Sequence, residues 1–357
     1  MQAAVLYKRR EPMVVEDIRL ADPGPGEVEI ELAASGVCHS DYSHWSRDTW
    51  SQLPLVLGHE GAGVVARVGP NVTRVTPGDH VVIAFGVRCG ECWFCQRGEP
   101  YLCTPAETPP PRMFKGDRPL NQFTFVGSFA ERTVVSEQNC VKIRDDAPLD
   151  VASLVACGVA TGTGAVWNTA QVPPGANVVV IGTGGVGLNV VQAAKLAGAA
   201  RVIAVDLLDQ KLEFAGAFGA THLVNADRED VLGTVQKLTG GLGADYAFEV
   251  IGAAPTIRQA FDVVRKGGTA VVVGVAREEE EVTFPAPALM RTGKRLLGCN
   301  YGSTRPNVDF PKIIDLFMEG RLKLRELISR RFELAEINEA FRALHAGEVA
   351  RGIVDFA

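Results

Sequence analysis

Apolar and polar positions alternate in short bursts over the first 150 or so residues. Residues 28–34 (VEIELAA) follow the period of two of a half-buried strand, and residues 61–69 (GAGVVARVG), 80–84 and 129–135 are further short β-branched runs. Turn signals DPGPG at 22–26, GPN at 69–71 and PGD at 77–79 separate them. The pattern predicts a unit made of many short strands. Beyond about residue 150 it changes. Residues 177–181 (NVVVI) form a continuous apolar run, a glycine-rich turn and about ten helix-forming residues follow, and residues 201–206 (RVIAVD) form a second run. Further strand candidates lie at 222–224, 244–250, 269–274 and 295–299, each preceded by a helical stretch, which implies a doubly wound parallel sheet. Amphipathic helices are predicted at 307–319 and 335–345, with a final strand in GIVDF. The acidic run 278–281 reads as a solvated loop.

The glycine turn gives the first chemistry. Gly182, Gly184 and Gly187 have the G-x-G-x-x-G spacing, with Gly185 and Val186 inside it, between a strand and a helix. Such a turn brings backbone N–H groups and a helix N-terminus up to a pyrophosphate, and Asp206 ends the next strand where a carboxylate meets the adenosine ribose hydroxyls. A dinucleotide cofactor follows. Asp206 would repel the 2′-phosphate of NADP, and Leu207 and Leu208 supply no arginine for it, so NAD is expected.

Length and charge narrow the rest. A chain of 357 residues suggests two domains, and a net charge of −6 argues against nucleic acid as a partner. No apolar run reaches the length of a membrane span, and the N-terminal residues lack the order of a signal peptide, so no membrane partner and a cytoplasmic location are expected.

Without an export signal, the eight cysteines read as metal ligands or buried thiols rather than disulfides. Cys89, Cys92, Cys95 and Cys103 are spaced so that four thiolates converge on one tetrahedral ion, a closed structural zinc site. A redox CxxC pair or an iron–sulfur cluster is the competing reading. Cys38, His59 and Cys157 are scattered, and each alone has an ordinary structural explanation. Together they would hold a zinc with one open position.

With these residues in view, GVCHSD, GHEGAG, CGECWFCQRGEPYLC, LVACGVATG, GTGGVG, RVIAVD and FEVIG resemble the zinc-containing medium-chain alcohol dehydrogenases in order and spacing along essentially the whole chain. The resemblance implies an α/β protein: a Rossmann-like domain, residues 159–300, inserted into a GroES-like β-rich catalytic domain, residues 1–158 and 301–357, with a structural-zinc lobe at about 86–104. It implies catalytic zinc on Cys38, His59 and Cys157, with Glu60 as a transient ligand and Asp41 orienting His59. Ser40 is implied to take the alcohol proton; the usual relay histidine is replaced by Ser43, with His44 beside it. His39 and Arg351 match positions at the cofactor pyrophosphate and Lys211 one at the ribose, while Val250, Val273 and Val275 match cofactor contacts, Val275 near the nicotinamide. Thr49, Trp50, Phe85 and Phe123 are placed at the substrate channel, and Trp45 and Met113 are added more loosely. Aromatic walls suggest a bulky aryl or allylic primary alcohol, oxidised reversibly to the aldehyde. The alternatives are a glutathione-dependent formaldehyde dehydrogenase, against which Glu107 stands in place of a basic residue, a secondary-alcohol or polyol dehydrogenase, against which Cys157 stands in place of an acid, a zinc-free relative, and a noncatalytic crystallin-type protein. Two zinc ions per chain and a homodimer or homotetramer are expected.

Overall fold

In the computed structural model, which describes residues 1–356, the strand Glu27–Val37 is the spine of the first of two units. Its residues 28–36 pair antiparallel with the strand Glu60–Val68. On its other side, residues 27–31 pair with Arg132–Ser136 and residues 34–37 with the C-terminal strand Arg351–Asp355. The sheet continues through Glu60–Val68 to His80–Ile83 and Cys140–Lys142, and through Arg351–Asp355 to Ile328–Phe332. Val28, Ile30 and Leu32 point to one face, with Val65, Val81, Ile83 and Val135 packed against them. Each such side chain, fully buried, contributes roughly 1.5–3 kcal/mol. A second sheet runs in the order Val14–Asp17, Gln2–Leu6, Leu55–Val56, Arg118–Gln122, Met113–Lys115, Arg19–Leu20.

The other unit is the predicted alternation of strand and helix. Six parallel strands lie in the order His222–Asn225, Arg201–Asp206, Asn177–Ile181, Ala244–Glu249, Val264–Val272, Arg295–Gly298. Numbered along the chain, this is the order 3-2-1-4-5-6 of dinucleotide-binding sheets, whose ligands lie beyond the carboxyl ends of the strands where the order reverses. Here that switch lies between Asn177–Ile181 and Ala244–Glu249. In the central strand Asn177–Ile181, residues 178–181 are all apolar and buried, as expected where helices cover both faces of a sheet.

The first unit comprises Met1–Cys157 and the segment from Arg305 onward, and the second Gly158–Thr304. The boundaries thus differ from the expected 158/159 and 300/301. Residues 301–304 stay with the second unit because they pack against its first helix: a Cβ on Gly164 would lie 2.2 Å from the Gly302 carbonyl oxygen. Thr304 Oγ1 also donates to the Ala160 carbonyl at 3.4 Å. Among the described residues, no single helix is long and apolar enough to cross a membrane.

Candidate active site and metal centres

Cys38 caps the helix His39–Ser46, and in the first turn Asp41 folds its carboxylate back toward the cap. One oxygen accepts from the Cys38 amide at 3.2 Å; the other accepts from the Gly58 amide at 2.9 Å and from His59 Nδ1 at 3.0 Å. One fully buried carboxylate therefore fastens the segment bearing Cys38 to the segment bearing His59. With Nδ1 donating to Asp41, the lone pair of His59 is on Nε2. Burial opposes protonation of His59, but the charge and hydrogen bond of Asp41, aided by Cys38, outweigh it and raise its pKa to about 10.

Cys157 follows the helical turn Ser153–Ala156. Ligand atoms of Cys38, His59, Glu60 and Cys157, all buried, lie within 4.8 Å of one another. The Cys38 thiol is held well below its usual range by a hydrogen bond with Cys157, against the opposing effect of burial, and further by His59 and by the charge of Arg351. Glu60 pairs through Oε2 with Arg351, while its Oε1 is buried without a hydrogen-bond partner. Buried polar atoms are seldom left so. An orphaned carboxylate oxygen beside two thiols and an imidazole fits a zinc ion, which would satisfy all four groups. Room for Glu60 comes from Gly36, where a Cβ would lie 2.0 Å from Glu60 Oε2.

Arg351, which the resemblance puts at the pyrophosphate, is 4% exposed and pairs through Nη2 with Glu60. A buried cation is held by the nearest buried anion, and in this fold that anion is Glu60.

Around His59 stand the aromatic residues. Phe85 and Phe123 meet its ring edge-on at 5.3 and 5.4 Å between centroids. Phe123 lies 4.4 Å from His44 and 6.4 Å from Trp50, which is 68% exposed. The backbone after Phe123 is strained, with Thr124 and Phe125 at φ of 50° and 62°. A β-branched residue rarely adopts that conformation, and such strain gathers at functional sites. The Thr49 hydroxyl lies 3.0 Å from His44 Nδ1. Ser40 Oγ is 3.8 Å from Cys38 Sγ. Two looser expectations are corrected. Met113 is fully buried among Ala3, Val5, Ile18, Val56 and Leu120, and Trp45 packs against Tyr42 and Phe341 while donating to the Glu11 carbonyl at 2.7 Å. Both are apolar side chains claimed by nearby core.

The cysteine lobe is local. Cys103 Sγ is 3.6 Å from Cys89 Sγ and 3.9 Å from Cys92 Sγ, and all four sulfurs lie within 4.8 Å of one another. A tetrahedron with metal–sulfur bonds of about 2.3 Å has edges of about 3.8 Å. The donor set is four sulfurs with no carboxylate or imidazole, which fits a closed zinc site.

In the second unit the glycine loop has the shape that a pyrophosphate requires. A Cβ on Gly187 would strike the Gly182 carbonyl at 1.9 Å, so the first turn of the helix Gly185–Leu196 can approach the loop there only on glycine, whereas a Cβ on Gly184 would point into open space. Val250 and Val273 reach the same edge, the first donating its amide to the Ile181 carbonyl at 2.9 Å, the second to the Glu249 carbonyl at 2.8 Å. Val275 is 78% exposed beyond it. Lys211 is half-buried on the helix Asp209–Phe218, and His39 is an exposed residue at the start of its helix.

Asp206 is engaged differently from expectation. One oxygen accepts from the Thr183 amide and hydroxyl at 2.9 and 3.1 Å, the other from the Leu207 and Leu208 amides at 2.8 and 3.3 Å. About four acceptor positions exist on a carboxylate, and protein donors approach all of them. Asp206 is first a fastener of the glycine loop, and a ribose hydroxyl would have to share it.

Sequence reasoning missed several residues. Arg9 and Ser51 hold the groups around His44. Glu249, fully buried, accepts from the Ile251 and Gly252 amides and the Thr256 hydroxyl and so shapes the turn after the fourth strand. FEVIG marked Glu249 only as part of a motif, and nothing near Arg9 or Ser51 in the sequence distinguishes them from surface residues.

A dinucleotide-binding sheet, a four-sulfur centre and a buried Cys–His–Cys centre define a metal-dependent, nicotinamide-linked dehydrogenase. The family models for "Alcohol dehydrogenase GroES-like domain" and "Zinc-binding dehydrogenase" match residues 24–145 and 185–319. The chain is 38% identical to an "Alcohol dehydrogenase class-3" of Zea mays, over 99% of this chain and 96% of that one. It is also 38% identical to an "S-(hydroxymethyl)glutathione dehydrogenase" of Paracoccus denitrificans, over 99% of each. The crystal structure of benzyl alcohol dehydrogenase from Acinetobacter calcoaceticus superposes with a TM-score of 0.93 at 31% identity, covering 100% of this chain and 99% of that one. The chain belongs to the zinc-containing medium-chain alcohol dehydrogenase family. It is an oxidoreductase acting on CH–OH groups, with a GroES-like unit and a Rossmann-like unit.

Proposed function

We propose that the chain interconverts a primary alcohol and its aldehyde with NAD as hydride carrier. The buried Cys38–His59–Cys157 set beside the orphaned Glu60 oxygen is the observation that supports this most strongly. Zinc held there would supply a Lewis acid for the alcohol oxygen, and the nicotinamide a hydride acceptor. The chain's own residues do the rest. Asp41 keeps the His59 tautomer that leaves Nε2 as a ligand atom, Phe85 and Phe123 exclude water from one side, and Ser40 is the hydroxyl next to the ligands that takes the alcohol's proton. For NAD, the support is a carboxylate at the end of the second strand and apolar Leu207 and Leu208 after it, where an arginine for a 2′-phosphate would stand.

On the substrate, the names of the relatives favour the glutathione-dependent alternative over the aryl or allylic alcohol: the Paracoccus denitrificans protein is named for S-(hydroxymethyl)glutathione. We therefore take S-(hydroxymethyl)glutathione as the leading substrate. The aromatic wall of Phe85, Phe123 and Trp50 supports the second reading, a flat apolar alcohol. Comparing kcat/KM for S-(hydroxymethyl)glutathione, benzyl alcohol and ethanol, by NADH absorbance, tests both. The leading reading predicts that the glutathione adduct wins; a clear excess for benzyl alcohol would reverse the order, and no turnover of any alcohol would sink the function itself. Self-association as a homodimer or homotetramer is also proposed, supported by the open edge of Arg295–Gly298 and the exposed Leu289, Met290 and Leu296 near it.

A further inference from the structure

Three residues outside the quoted motifs, Arg9, Thr49 and Ser51, hold the surroundings of His44. Arg9 donates from Nη1 to the His44 carbonyl and from Nη2 to the Ser51 carbonyl at 2.6 Å, the Thr49 carbonyl at 3.3 Å and the Ser51 hydroxyl at 3.2 Å. The Ser51 hydroxyl lies 2.9 Å from His44 Nδ1 and 3.1 Å from the Thr49 hydroxyl, which is itself 3.0 Å from Nδ1. The donor directions in this triangle can be counted. A guanidinium only donates, so the Ser51 oxygen accepts from Arg9 and its proton is free to point into the triangle. Thr49 adds a second hydroxyl proton. Among the described residues neither hydroxyl has an acceptor outside the triangle. If Nδ1 also carried a proton, the contacts of the triangle would take up only two of the three protons, and one hydroxyl would be left to solvent. The arrangement in which both hydroxyl protons are bonded within the triangle has Nδ1 as acceptor and puts the proton of the neutral imidazole on Nε2.

The Nε2 edge has no hydrogen-bond partner among the described residues, yet it is not among the buried unpartnered atoms. It remains reachable. The ring bearing it leans on Phe123 at 4.4 Å and meets Trp50 edge-on at 5.2 Å, and Phe123 in turn faces the ligand His59. We propose that His44 is a specificity-determining hydrogen-bond donor of the alcohol channel, its Nε2–H receiving an acceptor atom carried by the substrate beyond its carbinol, rather than a carrier of the alcohol's proton. Burial, followed by the charge of Arg9, keeps the imidazole neutral, with a pKa of about 4, which suits a fixed donor and not a group that must take up a proton at each turnover. Arg9 is the positioning residue, because its bonds close residues 49–51 onto the end of the helix that carries His44.

This inference rests on alcohol oxidation at the Cys38–His59–Cys157 site. Its test is the ratio of kcat/KM for 4-methoxybenzyl alcohol to that for benzyl alcohol, in wild type, His44→Leu and His44→Gln, at pH 7 and pH 9. The two alcohols share the carbinol and the ring and differ in one distal acceptor. The ratio should fall by about tenfold in His44→Leu, the effect of losing one hydrogen bond to a buried donor, and recover most of its value in His44→Gln, which keeps an N–H donor. A His44→Leu enzyme that loses the same factor on both alcohols at pH 7 and regains it at pH 9 would overturn the inference and make His44 a proton carrier. An unchanged ratio would overturn it as well. A wild type that oxidises neither alcohol but does oxidise S-(hydroxymethyl)glutathione would overturn the inference and leave the alcohol reading standing; one that oxidises none of the three would overturn both, a result distinct from the others.

Discussion

Asp41 shows how much one side chain can decide. Its two oxygens hold the backbone of Cys38, the backbone of Gly58 and the ring of His59, so the distance between two zinc ligands is set by a third residue that is no ligand. Asp41→Asn keeps the size and some acceptor capacity but removes the charge that makes His59 basic, and partners of this kind are worth about 10–100-fold in metal affinity. Zinc bound after competition with a chelator should fall from about two per chain toward one, with the lobe's ion retained. Retention of both would mean that Asp41 has no hold on the metal. His44 gives a prediction in pH. Its folded pKa of about 4 lies below the 6.5 of a free imidazole, so between these values the unfolded chain binds more protons. The contribution is full above pH 6.5 and is lost as the pH falls toward 4. Urea midpoints of wild type should drop more steeply from pH 7 to pH 4.5 than those of His44→Gln; parallel lines would exclude His44 as the cause. In the sequence these two residues were unequal. Asp41 was legible through GVCHSD, whereas the tautomer of His44 depends on Arg9, 35 positions earlier and invisible to any local pattern.

At the scale of elements, whatever is local in the chain was legible. The strand–glycine–helix unit and the Cys89–Cys103 lobe each close on themselves within a few tens of residues, and the strands Asn177–Ile181 and Arg201–Asp206 fall on their expected bounds. The lobe buries little apolar surface, and its short helices Trp93–Gln96 and Pro100–Leu102 are too brief to persist unaided. Its order must then come from the metal. Cys95→Ala should lose one zinc per chain and lower the melting temperature, since a structural zinc contributes folding free energy directly; full zinc and unchanged melting would refute the assignment. Asp206 shows what local reading leaves out. The strand end was found, but the side chain's partner, Thr183, lies across the glycine turn. Asp206→Gly therefore removes the loop's fastener as well as the charge that opposes a 2′-phosphate. NAD affinity should fall by about tenfold or more, with the NADP-to-NAD ratio of kcat/KM rising without a good NADP enzyme appearing, because no positive group is added. A wild type that prefers NADP would show that Asp206 faces only the loop.

At the scale of the whole molecule, the chain's order dictates which unit depends on the other end of the sequence. All six strands of the second unit lie within Gly158–Thr304, so that unit is complete before the last fifty or so residues are made. The first unit is discontinuous. Its C-terminal strand Arg351–Asp355 lies inside the sheet, between Glu27–Val37 and Ile328–Phe332, and carries the guanidinium that pairs with Glu60. Cutting the chain after Thr304 would take away that strand and leave Glu60 a buried anion without its partner, a loss of about 3–5 kcal/mol beyond the lost ladder. The expected outcome is split. NADH binding, followed by its fluorescence, should persist in the truncated chain because the glycine loop and the edge at Val250 and Val273 are untouched. Zinc should fall to about one per chain, that of the locally closed lobe, and alcohol oxidation should vanish. A truncated chain that kept two zinc ions and turned over alcohol would show that Arg351 and its strand are dispensable to the Cys38–His59–Cys157 centre. One that lost NADH binding would show that the second unit draws its stability from outside its own sheet.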